Sequence, residues 1–264
     1  MAYAQLKPQF TPSARVEEIS SESSYYRLTI PSGKANTYRL AQLSDYTHVS
    51  RDRFPQRYGF SLSLSARVSS DSIPGTWGFG LWNDPFGMSL GYGGKPFRVP
   101  ALPNAVWFFG ASEENYLSFK DSAGLDTRRQ GAFTRPAAVN GFLAQSFRSP
   151  RFHPLLILAG LALPFSRITT RRLLSKIIEE DGIELGVDPT EWHRYRFEWS
   201  EKRVSFEVDD AQVFESDVSP NPPLGLVIWI DNQYAAFTPE GKIGFGVLEN
   251  PEPAWLEIKD LEVG

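Results

Sequence analysis

The chain has 264 residues, a formal net charge of −4, no cysteine and three histidines. A disulfide framework and a thiolate metal site are thereby excluded, and the charge balance lacks the electrostatic footprint of a nucleic-acid binder. Aromatic residues make up 14%, seven of them Trp, and 21 Gly and 20 Pro are scattered along the chain, a composition that points to many short strands joined by turns.

Residues 1–24 are polar and rich in Ser, Glu and Pro. They read as a loop-like N-terminal extension without the charged-then-apolar pattern of a secretion signal. The expected location is cytoplasmic, and residues 25–264 are expected to form a single domain. YYRLTI (25–30) and NTYRLAQL (36–43) read as strands on either side of a Pro-Ser-Gly turn. In YGFSLSLSARV (58–68), Phe60, Leu62, Leu64, Ala66 and Val68 alternate with Ser61, Ser63, Ser65 and Arg67. Strict alternation gives one buried and one wet face, the mark of an antiparallel sheet.

In GTWGFGLWNDPFG (75–87) glycines alternate with large aromatics, so a ligand or another backbone can approach closely. A Gly/Pro loop follows at 91–100, then the apolar stretch Asn104–Phe109 and a polar segment at 112–140. His153 precedes an apolar run of 11 residues, Leu155 to Phe165, interrupted by Pro164 and too short to span a bilayer. Beyond it Ile168, Leu173, Leu174, Ile177 and Ile178 fall at helical spacing opposite Arg171, Arg172, Lys176, Glu179 and Glu180. The expectation is an amphipathic helix ending near Gly182, and a helical insertion over 151–185. Strands return at 192–200, 203–210, 211–216, 224–232, 242–248 and 254–263.

WHRYRFEWSEKRVSFEVDDAQVFES (192–216) is similar to a hairpin of the laminarinase/lichenase-type glycoside hydrolases (family 16). YGFSLSLSARVSSDSIPGTWGFGLWND (58–84) resembles that family's segment ending in its cleft tryptophans, and PAWLEIKDLEV (253–263) its closing strand. The resemblance implies an all-β fold of the concanavalin A-like lectin/glucanase superfamily: a jelly-roll β-sandwich of two antiparallel sheets with a concave, ligand-facing side. In those hydrolases the next strand carries an E-x-D-x-E or E-x-D-x-x-E motif, because alternate positions on one strand face hold the two working carboxyls at the roughly 5 Å that retaining chemistry needs. Here that strand is Asn104–Phe109, with Asn, Val and Phe where the acids would stand. Glu113 and Glu114 follow in what reads as a solvated turn; a glycoside hydrolase using them as displaced acids is one alternative.

The leading expectation is therefore a non-hydrolytic jelly roll that binds a carbohydrate or glycoconjugate on an aromatic concave face, with no cofactor and no metal. Trp77, Trp82, Asn83, Trp107, Phe109, Trp229, Asn232, Gln233 and Tyr234 are the ligand-binding candidates. LGLVIWI (224–230) is apolar at nearly every position, so both faces of that strand need cover, for which the 151–185 insertion is the natural source. The alternative from another class is an enzyme doing acid/base chemistry on a hydrophobic small molecule in a lidded pocket, with Asp84 and Asp231 as the catalytic candidates. Both acids follow an aromatic strand and start a turn, and their strand ends are expected to converge on one pocket. Burial there would raise a carboxyl pKa toward neutrality. Arg167, Arg171, Arg172 and Lys176 also allow a third reading, peripheral contact of 151–185 with an anionic membrane. His193 and the pair Asp209 and Asp210 read as structural parts of the hairpin; His153 reads as a helix cap or a pocket acid/base, and His48 gives no signal.

Overall fold

The computed structural model describes residues 6–47, 49–85, 101–119, 140–151 and 153–264. His48 and the Gly/Pro loop at 91–100 lie outside the described residues. Two seven-stranded antiparallel sheets face each other. One runs in the order β1 (Lys7–Phe10), β4 (Leu40–Ser44), β13 (Gly225–Asp231), β6 (Thr76–Trp82), β7 (Ala105–Ala111), β8 (Gly141–Arg148), β9 (Glu179–Glu184). The other runs β12 (Ala211–Ser216), β11 (Val204–Val208), β10 (His193–Trp199), β5 (Phe60–Val68), β16 (Ala254–Val263), β3 (Tyr25–Ile30), β2 (Arg15–Ser20). A separate hairpin joins β14 (Gln233–Phe237) to β15 (Ile243–Val247), and two short helices, α1 (Leu155–Ala162) and α2 (Arg167–Leu174), precede β9. This is the sandwich that the strand pattern predicts, in the jelly-roll form that the resemblance implies, with a helical excursion.

The alternation of β5 has its expected consequence. Phe60, Leu62, Leu64, Ala66 and Val68 enter the core between the sheets, where they meet Phe79, Phe108, Tyr195 and Phe206. Rings interlock there at centroid distances of 5.1–5.4 Å, as in the pairs Phe108–Tyr195 and Phe79–Phe108. Burying each large apolar side chain contributes roughly 1.5–3 kcal/mol. Strands β7 and β13 are buried on both faces. Their second faces, Ala105, Trp107, Phe109 and Ala111 with Val227 and Trp229, build a second apolar cluster with Phe147 and Ile178. The molecule thus has three layers: one sheet, the other sheet, and a partial cover.

Three sequence expectations need correction here. Residues 7–10 and 15–20 are strands, not loop; as edge strands with exposed polar faces they show no alternation to read. The helix does not reach Gly182. It ends at Leu174, and Glu179–Glu184 is an edge strand on β8. Ile177 and Ile178 are buried in the connection, so their helical spacing is coincidental. Finally, Arg171 is not a surface cation but is 1% exposed. The Asp209–Asp210 turn is structural as read. Both residues adopt the left-handed conformation (φ 51° and 62°) that a two-residue hairpin needs, and Asp209 accepts from His193 Nδ1 (2.7 Å) and the Arg194 amide (2.9 Å).

Candidate functional site

A cavity of about 480 Å³ lies on the outer face of the sheet that contains β7 and β13. Its floor follows from strand parity. On β6, Trp77, Phe79 and Leu81 enter the inter-sheet core, so Thr76, Gly78, Gly80 and Trp82 point the other way. A Cβ on Gly78 would sit 2.4 Å from the Phe108 carbonyl oxygen and 2.9 Å from the Trp229 ring. The glycine thus lets the Trp229 indole lie flat across β6, and what approaches closely is a neighbouring ring. Trp229 stacks on Trp82 with centroids 5.8 Å apart and planes 8° from parallel. Trp107 stands 5.8 Å from Trp229 and 6.2 Å from Trp82, and stacks on Phe109 at 5.0 Å.

Each of these indoles has its N–H tied within the protein. Trp82 Nε1 donates to the Tyr46 hydroxyl (2.6 Å), Trp107 Nε1 to Gln145 Oε1 (3.3 Å) and Trp229 Nε1 to Thr76 Oγ1 (3.0 Å). The tryptophans therefore offer the cavity ring faces and carbon edges rather than hydrogen-bond donors.

Asp231 is the buried acid of this site. It is 6% exposed and ends β13 beside Thr76, at the cavity margin. Its Oδ1 accepts from Thr76 Oγ1 (2.7 Å) and the Gln233 amide (3.3 Å), and its Oδ2 from the Tyr38 hydroxyl (3.1 Å). Burial pushes its pKa up to about 6, only partly offset by those hydrogen bonds. Burial and the Asp231 charge hold Tyr38 well above its ordinary value, so it stays a donor. Asp84 also lines the cavity. It is half-buried with φ 49°, and its carbonyl oxygen accepts from an Arg51 guanidinium nitrogen at 2.6 Å. The two strand ends do not converge, however. Strands β6 and β13 are antiparallel, with Asp231 opposite Thr76 and Gly225 opposite Trp82. Asp231 and Asp84 therefore approach the cavity from opposite ends of the strand pair.

Among the described residues the roof comes from three segments. Residues 115–119 cross above the sheet, with Phe119 and Leu117 lining the cavity; the β14–β15 hairpin contributes Tyr234, Phe237 and Phe245, and α2 with the connection after it contributes Leu174 and Ile178. Glu180, 4% exposed, pins this roof by accepting from Ser118 Oγ (2.5 Å) and the Phe119 amide (2.9 Å). Arg171 completes the fastening. Its guanidinium donates to the carbonyl oxygens of Ser118 (2.8 Å) and Phe237, and lies over the rings of Tyr116 and Phe237. The cover over β13 is thus only partly the 151–185 segment, and α1 takes no part in lining the cavity.

Of the sequence candidates, Trp82, Asp84, Trp107, Phe109, Trp229, Asp231, Gln233 and Tyr234 line one cavity. Three others do not belong to it. Trp77 has the opposite parity and stacks on Phe142 in the inter-sheet core, at 4.7 Å. Asn83 joins two chain segments: its Nδ2 donates to the Leu102 carbonyl and its Oδ1 accepts the Asn104 amide. Asn232 is fully buried and bonds Arg39, Thr37 and Leu248 backbone groups. Strand β7 faces the cavity through Ala105, Trp107 and Phe109, not through the alternate positions Val106 and Phe108 that the sequence comparison set against acids. Strand β7 has no carboxylate on either face. Glu113 and Glu114 are exposed in the turn beyond it, and His153 accepts the Leu155 amide at the start of α1 (3.2 Å). Sequence reasoning missed Thr76, Tyr38, Glu180 and Arg171.

No protein-family model and no curated protein matches the sequence. Among solved structures, an endo-β-galactosidase from Clostridium perfringens that releases GlcNAcα1-4Gal aligns with 98% of this chain at 11% identity and a TM-score of 0.47. The chain spans 59% of that protein's length. A glycoside hydrolase family 16 endo-glucanase from Bacteroides ovatus aligns over 100% of this chain and 95% of its own at 10% identity and a TM-score of 0.46. A legume lectin-like domain from Entamoeba histolytica aligns over 97% and 89% at 12% identity and a TM-score of 0.45.

Proposed function

We propose that the cavity binds a small, largely apolar molecule and that Asp231 engages its polar end. The observation that carries this reading is the combination of three indoles with committed N–H groups and one buried acid in a partly roofed, half-open space of small-molecule size. A pKa of about 6 leaves Asp231 able to donate or accept a proton near neutrality, so the site has the means for acid/base chemistry on such a ligand. Hydrolysis of the family 16 kind has no support, since the strand under the cavity lacks carboxylates. A second reading, a carbohydrate held on the concave face, draws on the nearly parallel Trp82–Trp229 pair as a stacking platform.

The test separates the two. The neutral apolar probe N-phenyl-1-naphthylamine should bind the purified protein, and Trp107→Ala should weaken binding at least about tenfold, the 1.4 kcal/mol expected for losing part of a buried contact. Organic extraction of the purified protein should release a hydrophobic small molecule. Binding of laminari- or cello-oligosaccharides in calorimetry, with no probe binding, would replace this reading with the carbohydrate one.

A further inference from the structure

Helix α1 buries almost nothing. Of its eight residues only Ala159 is buried, while Ile157, Leu158 and Leu161 are 58%, 52% and 65% exposed and Phe165, in the turn to α2, is 90% exposed. Leu163 and Ile168 add to the same segment at 42% and 41%. This is a contiguous run of large apolar groups in water, which soluble surfaces rarely keep without a use. The segment's own charge is equally one-sided, although Glu240 of the adjoining β14–β15 turn and Asp52 lie near its arginines. From Arg151 to Ile178 the sequence has no carboxylate, in a chain whose net charge is −4. Arg151, Arg167, Arg172 and Lys176 are exposed there, whereas Arg171 is spent inside the roof. The helix pair is thus fastened to the body through α2, with Thr170 Oγ1 donating to the Ala159 carbonyl (3.2 Å), and holds its apolar tip outward.

We propose that α1 and the α1–α2 turn dock on an anionic lipid surface, with Leu161 and Phe165 entering the headgroup–acyl boundary and Arg167, Arg172 and Lys176 pairing with lipid charges. Apolar exposure bordered by cations is the pattern of an interfacial helix. Charge complementarity selects this partner over a second copy of the chain, which would bring two cationic segments together. Eight residues rise about 12 Å, well short of the roughly 30 Å hydrocarbon core, and among the described residues no helix is long and apolar enough to cross a membrane. The segment therefore lies on the surface. The docking face also adjoins the cavity roof: the backbone at Gly241, in the β14–β15 turn, packs against Ile168, and Phe245 of that hairpin lines the cavity.

The experiment is co-sedimentation of the full chain with phosphatidylcholine vesicles, with and without phosphatidylserine. Two double variants are compared with the parent, Leu161→Glu/Phe165→Glu and Arg167→Glu/Arg172→Glu, each checked by thermal melting. Vesicles with phosphatidylserine should bind the parent at least about tenfold better than phosphatidylcholine alone. Added salt and either variant should remove that advantage with the melt unchanged. Equal partitioning onto both vesicle types, no binding, or retained binding by both variants overturns the proposal. So does self-association in sedimentation equilibrium that Leu161→Glu/Phe165→Glu abolishes while vesicles bind nothing, which would assign the patch to a second copy.

Discussion

Asp231→Asn should change how stability depends on pH, by an amount set by the Asp231 environment. The carboxyl moves from its ordinary 3.8 to about 6 on folding, roughly two units, or on the order of 3 kcal/mol at about 1.4 kcal/mol each. The folded state holds this proton more tightly than the unfolded chain. Asp231 therefore contributes its full stabilisation below about pH 3.8 and loses it as pH rises through about 6. Asn has no such proton, and the hydroxyls of Thr76 and Tyr38 can turn to accept from its amide. Urea unfolding of the parent and Asp231→Asn at intervals from pH 4 to pH 8 isolates the effect. Asp45, also pushed to about 6 by burial, and every other group titrate alike in both proteins. The parent should lose about 2.5 kcal/mol of this contribution relative to the variant between pH 4 and pH 7.5, the remainder falling below pH 4. Parallel curves, within about 0.5 kcal/mol throughout, would show that Asp231 is not held in an ion-unfriendly site, and the acid/base part of the proposed function would fall with it.

Gly78→Val forces a side chain against the Phe108 carbonyl and the Trp229 ring; it should cost about 1–3 kcal/mol in chemical denaturation and weaken probe binding. Glu180→Ala removes the carboxylate that accepts from the Ser118 hydroxyl and Phe119 amide, so hydrogen exchange at 117–119 should accelerate while exchange in β5 stays unchanged. Glu257 is 1% exposed; burial raises its pKa, but hydrogen bonds from Arg67 and Tyr25 and the Arg27 and Arg67 charges outweigh it and hold the carboxyl below its ordinary value. Its stabilisation is present above the ordinary carboxylate pKa and is lost as pH falls through the depressed one, and Glu257→Ala should cost about 3 kcal/mol at pH 7. Laminarin and lichenan should release no reducing sugar, and Glu113→Gln or Glu114→Gln should alter nothing; turnover that either substitution abolishes would show the acids had been displaced rather than lost.

The strands with one wet face were legible because alternation encodes burial, as in Phe60 to Val68, and the Asp209–Asp210 turn was legible because its backbone demands are local. Strand β7 was harder. AVWFFGA is buried on both faces, so hydrophobicity cannot tell which parity meets the cavity; Val106 and Phe108 turn into the inter-sheet core, and Trp107 and Phe109 meet the cavity. A signal was nevertheless present on β6. Trp77 and Trp82 are five positions apart and cannot share a strand face, so one of the two had to leave the site. The roof was out of reach for another reason. Glu180 and Arg171 look like ordinary surface charges in sequence, and only the crossing of 115–119 over β9 and α2 gives them buried partners. The polar edge strands β1, β2 and β9 carry no periodic apolar signal at all.

The three cavity indoles also make the protein its own optical instrument. Trp82, Trp107 and Trp229 lie within 5.8–6.2 Å of one another, two of the three pairs inclined at 53° and 57°. At such spacing their ultraviolet transitions mix, and the inclined pairs give the mixed states rotational strength. Their shared emission is one energy-transfer pool. A molecule entering among them would alter the whole pool at once, in circular dichroism and in emission lifetime, without any label being attached.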